Sequence, residues 1–169
     1  MTNIKAKNPD IIFFSGYYTE GALLMKEARK QGVKAKMFGG DGISSAPFIE
    51  LGGEAVEGSM AYLGFSTDQL EGEAARFVEA YKKRTGQIPE MFGAQGYDGM
   101  KMLAEAIRRA GSSDPRLFRA ELAKMKNFPG VTGVMTIKAD REPVKSPLCL
   151  LEVKGGKYVL RKKIPIKSD

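Results

Sequence analysis

The sequence predicts an α/β fold: a parallel-sheet lobe closed by a C-terminal β-hairpin. Three observations carry this. Asp10-Ile-Ile-Phe-Phe14 is a short continuous apolar run with Gly16 just after it, which reads as a strand buried on both faces under helices. A helical pattern and a second strand, Lys36-Met-Phe38, follow it to make a β-α-β unit with right-handed parallel pairing. Near the end, two strand patterns, Leu148–Val153 and Tyr158–Leu160, flank Gly155-Gly156, a hairpin signal.

The elements can be justified in order. Tyr18 to Gln31 sets Leu24, Met25 and Ala28 at helical spacing, and Gly32 sits where a helix end wants a left-handed residue. A short helix is expected around Pro47 to Leu51, and Ser59–Leu63 reads as a third strand. Asp68-x-x-Glu71 resembles a capping box, with Asp in place of Ser or Thr. It would open a helix that turns Ala75, Phe77, Val78 and Tyr81 inward and ends at Gly86, with Pro89 breaking the chain beyond. A third long helix, about Gln95 to Ala110, carries Met102, Leu103, Ala106 and Ile107 on one side. Asp114-Pro115 starts a fourth, with Asp as N-cap and Pro at the first helical position; its apolar face is Leu117, Phe118 and Leu122. Val134–Ile137 then reads as a strand.

Composition narrows function. A chain of 169 residues, 43% hydrophobic, is one ordinary domain or two small lobes and can bury about 70% of its surface. With no histidine, the Ser-His-Asp triad, Cys-His dyads and the HExxH zinc helix are excluded. A single cysteine, Cys149, excludes an intramolecular disulfide and a Cys-cluster metal site, and its place inside a strand pattern reads as a buried structural thiol. Ser15, Ser44 and Ser45 have no base of the usual kind, so the chain reads as a non-enzyme with no cofactor and no metal.

The apolar runs are too short to cross a bilayer, and no signal peptide is read at the start; a complete gene product of this sequence would be cytoplasmic. Charge is uneven: residues 1–100 carry 11 Lys and Arg against 13 Asp and Glu, while residues 101–169 carry 16 against 7. No RNA-binding signature or helix-turn-helix pattern accompanies the basic part. It therefore reads as a solvated face with the tail Arg161-Lys162-Lys163, and no nucleic acid is expected. A basic structural protein associated with nucleic acid is the alternative from a different class.

Two loops carry the candidate site. Gly39-Gly40-Asp41-Gly42 follows a strand but matches neither GxGxxG nor GxxxxGK[ST]. It reads as a turn at the C-terminal end of a parallel strand, where open α/β sheets place ligands, with Asp41 offering a carboxylate to a cationic group. Asp41 could equally order the turn through an Asx hydrogen bond. Ser15-Gly16-Tyr17-Tyr18 ends the neighbouring strand, which brings Tyr17 and Asp41 near one crevice; packing of both tyrosines against the following helix is the other reading.

These residues also carry a resemblance. Asn8 to Tyr18, the helix to Gly32, and Met37-Phe-Gly-Gly-Asp-Gly42 resemble the second lobe of a branched-chain amino-acid (Leu/Ile/Val) binding protein, a type I periplasmic receptor of ABC importers. Glu57-Gly58, Phe77-x-x-x-Tyr81, Gly96-Tyr97-Asp98, Gly130-x-x-Gly133 and Gly155-Gly156 follow in matching order. The resemblance implies an incomplete type I fold: residues 1–90 as the second-lobe core, and 91–129 as a helical pair that packs on an absent first lobe. Residues 130–169 would supply return strands and the hairpin.

It further implies non-enzymatic binding of a free amino acid, delivery to an ABC permease, and a periplasmic or cell-surface location. By position, Asp41 would meet the α-ammonium and Tyr17 the ligand's side chain or backbone, with Tyr18 and Gly40 beside them. A cytoplasmic amide or amino-acid sensor of the same fold is the alternative function. Without the first lobe, Met102, Leu103, Ile107, Leu117, Phe118 and Leu122 would lie bare, so two copies are expected to associate through the 95–126 helices.

Overall fold

A computed structural model describes residues 2–68 and 70–167. The first half runs α1 (Thr2–Lys7), β1 (Ile11–Phe14), α2 (Tyr18–Lys30), β2 (Lys36–Gly39), α3 (Ala46–Gly52) and β3 (Met60–Leu63). Helices α4 (Gly72–Thr85), α5 (Met91–Ala110) and α6 (Pro115–Ala123) follow. The chain closes with β4 (Phe128–Gly130), β5 (Gly133–Ile137), β6 (Pro143–Ser146), β7 (Leu148–Val153) and β8 (Tyr158–Ile164). It divides into two units, Met1–Leu63 with Cys149–Lys163, and Gly64–Leu148 with Ile164–Asp169.

In the first unit the sheet order is β1-β2-β3-β7-β8. The first three strands are parallel, as the β-α-β reading requires, and β7 is antiparallel to β3. Strands β7 and β8 are neighbours joined by a tight turn with Lys154 N donating to Lys157 O, so the hairpin stands as well. Strand alternation buries Met37, Ala61, Leu63, Leu151 and Val153 on one face, together with Ala22, Met25 and Phe48 of α2 and α3. The opposite face presents a tilted aromatic row, Phe13–Phe38 at 6.1 Å and Phe38–Tyr62 at 5.9 Å between ring centroids. This corrects the reading of Ile11–Phe14 as buried on both faces: β1 is the sheet edge, with Ile11 54% and Phe13 64% exposed. A continuous apolar run does not say how many faces are covered.

The second unit packs α5 and α6 against the three-stranded antiparallel sheet β4-β5-β6. Met102, Ala106, Met125 and Met135 are its core, with Phe118, Leu122, Phe128 and Ile137 packed around them. The chain passes between the two units at Leu63/Gly64, Leu148/Cys149 and Lys163/Ile164. In the second unit β5 and β6 join β4 beside α5 and α6. Much of the apolar face expected to lie bare thus finds a partner within the unit, although Leu117 stays exposed.

A buried carboxylate ties this unit together. Asp98 of α5, 1% exposed, accepts from Val131 N (2.8 Å), Thr132 N (2.9 Å) and Thr132 Oγ1 (2.6 Å) in the turn joining β4 to β5. Gly130 is required there, since a Cβ would lie 2.5 Å from Asp98 Oδ2. Two motifs that look separate in the sequence, Gly96-Tyr97-Asp98 and Gly130-x-x-Gly133, are the two sides of this contact.

Local signals fare unevenly. Asp114 caps α6 as expected, accepting from Arg116 N at 2.9 Å. The Asp68–Glu71 capping box does not form: α4 starts at Gly72, and its N-cap Glu71 makes no side-chain cap bond. Position 69 lies outside the described residues. Helix α5 begins at Met91, four residues before the expected start, and α1, β4 and β6 had no expected counterpart.

Candidate functional site

Two loops meet at the C-terminal ends of adjacent parallel strands. β1 runs through Ser15-Gly16-Tyr17 into α2, and β2 runs through Gly40 into a single helical turn at Asp41–Ile43. The register Phe14↔Gly39 starts the loops side by side. Gly42 lets them touch: a Cβ there would lie 2.3 Å from the Gly16 carbonyl oxygen and 3.6 Å from the Tyr17 Cα. Between them lies a cavity of about 250 Å³ whose walls include Tyr17, Gly40, Asp41 and Tyr62.

Among the described residues, Asp41 is the one charged residue lining this cavity. Its backbone carbonyl orders the turn, accepting from Ser44 N at 3.0 Å and Ser44 Oγ at 2.8 Å. Among the described residues its carboxylate makes no Asx bond and no ion pair, so the turn leaves it to solvent. Tyr17 is 67% exposed and precedes α2 without a side-chain cap bond; its carbonyl accepts from Gly21 N at 3.0 Å. The structure thus brings Tyr17, Asp41 and Gly40 to one cavity. Tyr18, at the first position of α2, is not part of its wall.

Tyr62 and Tyr158 went unread in the sequence. The Tyr62 hydroxyl lies over Gly40, 3.3 Å from where a Cβ would be. Alternation within Ser59–Leu63 could have found it, since it puts Tyr62 opposite the buried Ala61 and Leu63. The Tyr158 hydroxyl donates to the Ile43 carbonyl, which pins the end of the Asp41 turn to β8. Burial pushes the Tyr158 phenol well above its ordinary range. No local pattern in the sequence signals a contact over such a separation.

Among the described residues of this cleft, no nucleophile is paired with a base. Ser44 spends its hydroxyl on the Asp41 carbonyl, and the buried Ser45 hydroxyl has no hydrogen-bond partner. Cys149 is buried and desolvation raises its pKa, the opposite of an activated thiol. Among the described residues, no group of three or more Asp, Glu, Cys or His side chains could hold a metal, and no helix is long and apolar enough to cross a membrane.

Residues 1–157 match the family model described as periplasmic binding protein. A Leu/Ile/Val-binding protein homolog of Brucella abortus is 27% identical over 156 residues, covering 92% of this chain and 42% of that protein. Among solved structures, a leucine binding protein from Thermotoga maritima superposes with a TM-score of 0.89 at 34% identity, over 97% of this chain and 47% of that one. A branched-chain amino acid transporter substrate binding protein from Streptococcus pneumoniae, solved with isoleucine, gives 0.80 at 30% identity, over 98% and 47%. The chain spans less than half the length of these relatives.

Proposed function

Because the chain belongs to the periplasmic binding protein family, we propose that the cleft between its first two parallel strands is one wall of a binding site for a free amino acid. The observation that carries this is Asp41: a carboxylate that, among the described residues, has no partner and is the only charge lining a small cavity, with Tyr17 and Tyr62 beside it. An α-ammonium leaving water needs such a charged, hydrogen-bonding partner. The tyrosines offer aromatic surface and hydroxyls to the rest of the ligand. Relatives named for leucine, isoleucine and valine, one of them solved with isoleucine, point to branched-chain side chains. Gly40 and Gly42 let the backbone approach closely, and Tyr158 holds the turn in place.

Among the described residues, this wall offers no cationic group to the α-carboxylate. In the proposed receptor that contact belongs to the part of the fold that the relatives have and this chain does not span. Delivery to an ABC importer and a periplasmic or cell-surface setting belong to the same reading, as does association of two copies through the 95–126 helices, where Leu117 of the expected apolar face remains exposed.

Titration calorimetry with leucine, isoleucine, valine and small amides tests the site. Saturable heat that disappears in Asp41→Asn is the expected result. Binding unaffected by that substitution, or heat with no member of the panel, removes Asp41 and its cleft from the reading.

A further inference from the structure

A second cavity, about 450 Å³, lies between α4 and α5, both within the second unit. Its body is aromatic: Phe77 packs on Tyr97 at 4.7 Å and on Tyr81 at 5.9 Å between centroids. Gly93 of α5 opposes the Tyr81 hydroxyl, with the position of an added Cβ 3.8 Å away. Three basic groups and one acid surround these rings. Glu73 is already engaged, bonded to Lys101 at 2.5 Å, and Lys101 also sits 5.6 Å from the Tyr97 ring centroid. Arg76 and Arg84 line the cavity, and neither lies within ion-pair distance of a carboxylate among the described residues, although the hydrogen bond from Lys101, helped by the Arg76 charge, holds the Glu73 carboxyl below its ordinary range.

The spacing of the two arginines sets the shape of what fits. They stand eight residues apart on one face of α4, about 12 Å along its axis, with Ala80 between them. An extended chain with acidic residues at both ends spans that distance and pairs with both arginines. The aromatic floor between them takes an apolar side chain. We infer that the α4/α5 groove docks an acidic peptide segment of a partner protein: an aromatic or aliphatic anchor enters between Phe77, Tyr81 and Tyr97, and flanking carboxylates pair with Arg76 and Arg84. Arginine is suited to this, because its planar fork holds a carboxylate and stacks on rings. The inference stands apart from the amino-acid cleft and does not depend on it.

The test is NMR of the isotope-labelled full chain titrated with the synthetic peptide acetyl-Asp-Glu-Phe-Leu-Asp-Glu-amide. Saturable amide shifts confined to α4 and the first half of α5 are expected, with binding weakened about tenfold or more in Arg76→Glu/Arg84→Glu. Arg76→Lys/Arg84→Lys should retain part of the affinity, and exchange of Phe-Leu for Ser-Ser in the peptide should abolish it. Shifts outside the groove must match wild type in each variant, which separates lost docking from lost fold. Shifts scattered over the surface, unchanged affinity in the charge-reversed variant, or equal saturation of the groove by benzoate alone would overturn the proposal.

Discussion

The hydroxyl of Tyr158 donates to the carbonyl of Ile43, so that a strand near the end of the chain holds the turn that displays Asp41. Ile43 is fully buried, and no water competes for that carbonyl. Tyr158→Phe keeps the ring but orphans the acceptor, which costs about 1–2 kcal/mol. If the cleft binds as proposed, affinity falls as well, through a looser Asp41 turn. Urea unfolding and calorimetry on the same variant measure the two effects separately.

The same bond gives a pH dependence with a definite sign. The folded Tyr158 phenol keeps its proton above the ordinary value of 10.0, whereas the unfolded chain releases it there. Above that pH the unfolded state binds fewer protons, so stability falls as pH rises toward the folded pKa. Tyr158→Phe lacks this contribution. The stability gap between wild type and variant should therefore narrow from about pH 8 to about pH 11, read by urea melts at each pH. A constant gap would mean that the phenol is not held in its protonated form.

Asp98 should be the costliest carboxylate to alter. Asp98→Asn turns an amide N–H₂ toward one of two buried backbone donors, Val131 N or Thr132 N, and removes the charge from three hydrogen bonds. A loss on the order of 3 kcal/mol is expected. Gly130→Ala should mimic part of it by driving a methyl against Asp98 Oδ2. Denaturant melts read both, and a change below about 1 kcal/mol for Asp98→Asn would deny it that role.

Gly42→Ala tests the contact between the two site loops. Its Cβ would meet the Gly16 carbonyl at 2.3 Å, so one loop must move. The expected cost is about 1–3 kcal/mol in stability. In the proposed receptor, affinity for leucine is lost even where the fold survives, and paired melting and calorimetry distinguish these losses.

Cys149 should react slowly. It is buried in the sheet and its thiol pKa is raised by desolvation. Labelling of the native chain by a disulfide reagent at about pH 8 should run far below the rate in urea. Equal rates would place the thiol at the surface.

What the sequence determined alone is local. An apolar run, a helical period and a glycine stop define β1-α2-β2, Asp114-Pro115 caps α6, and Gly155-Gly156 turns β7 into β8. Each follows from residues within one turn or one pleat of each other, where periodicity and backbone sterics act. The cleft was legible for the same reason, since Tyr17 and Asp41 occupy equivalent positions after neighbouring strands. Tertiary structure decided the rest. It alone left one face of β1 uncovered, recruited the short β4 and β6 to a second sheet, and buried Asp98 under a turn more than thirty residues away. It alone brought Tyr62 over Gly40 and Tyr158 under Ile43. Burial and hydrogen-bond satisfaction depend on which distant elements meet, and a local pattern carries the need for a partner without its identity.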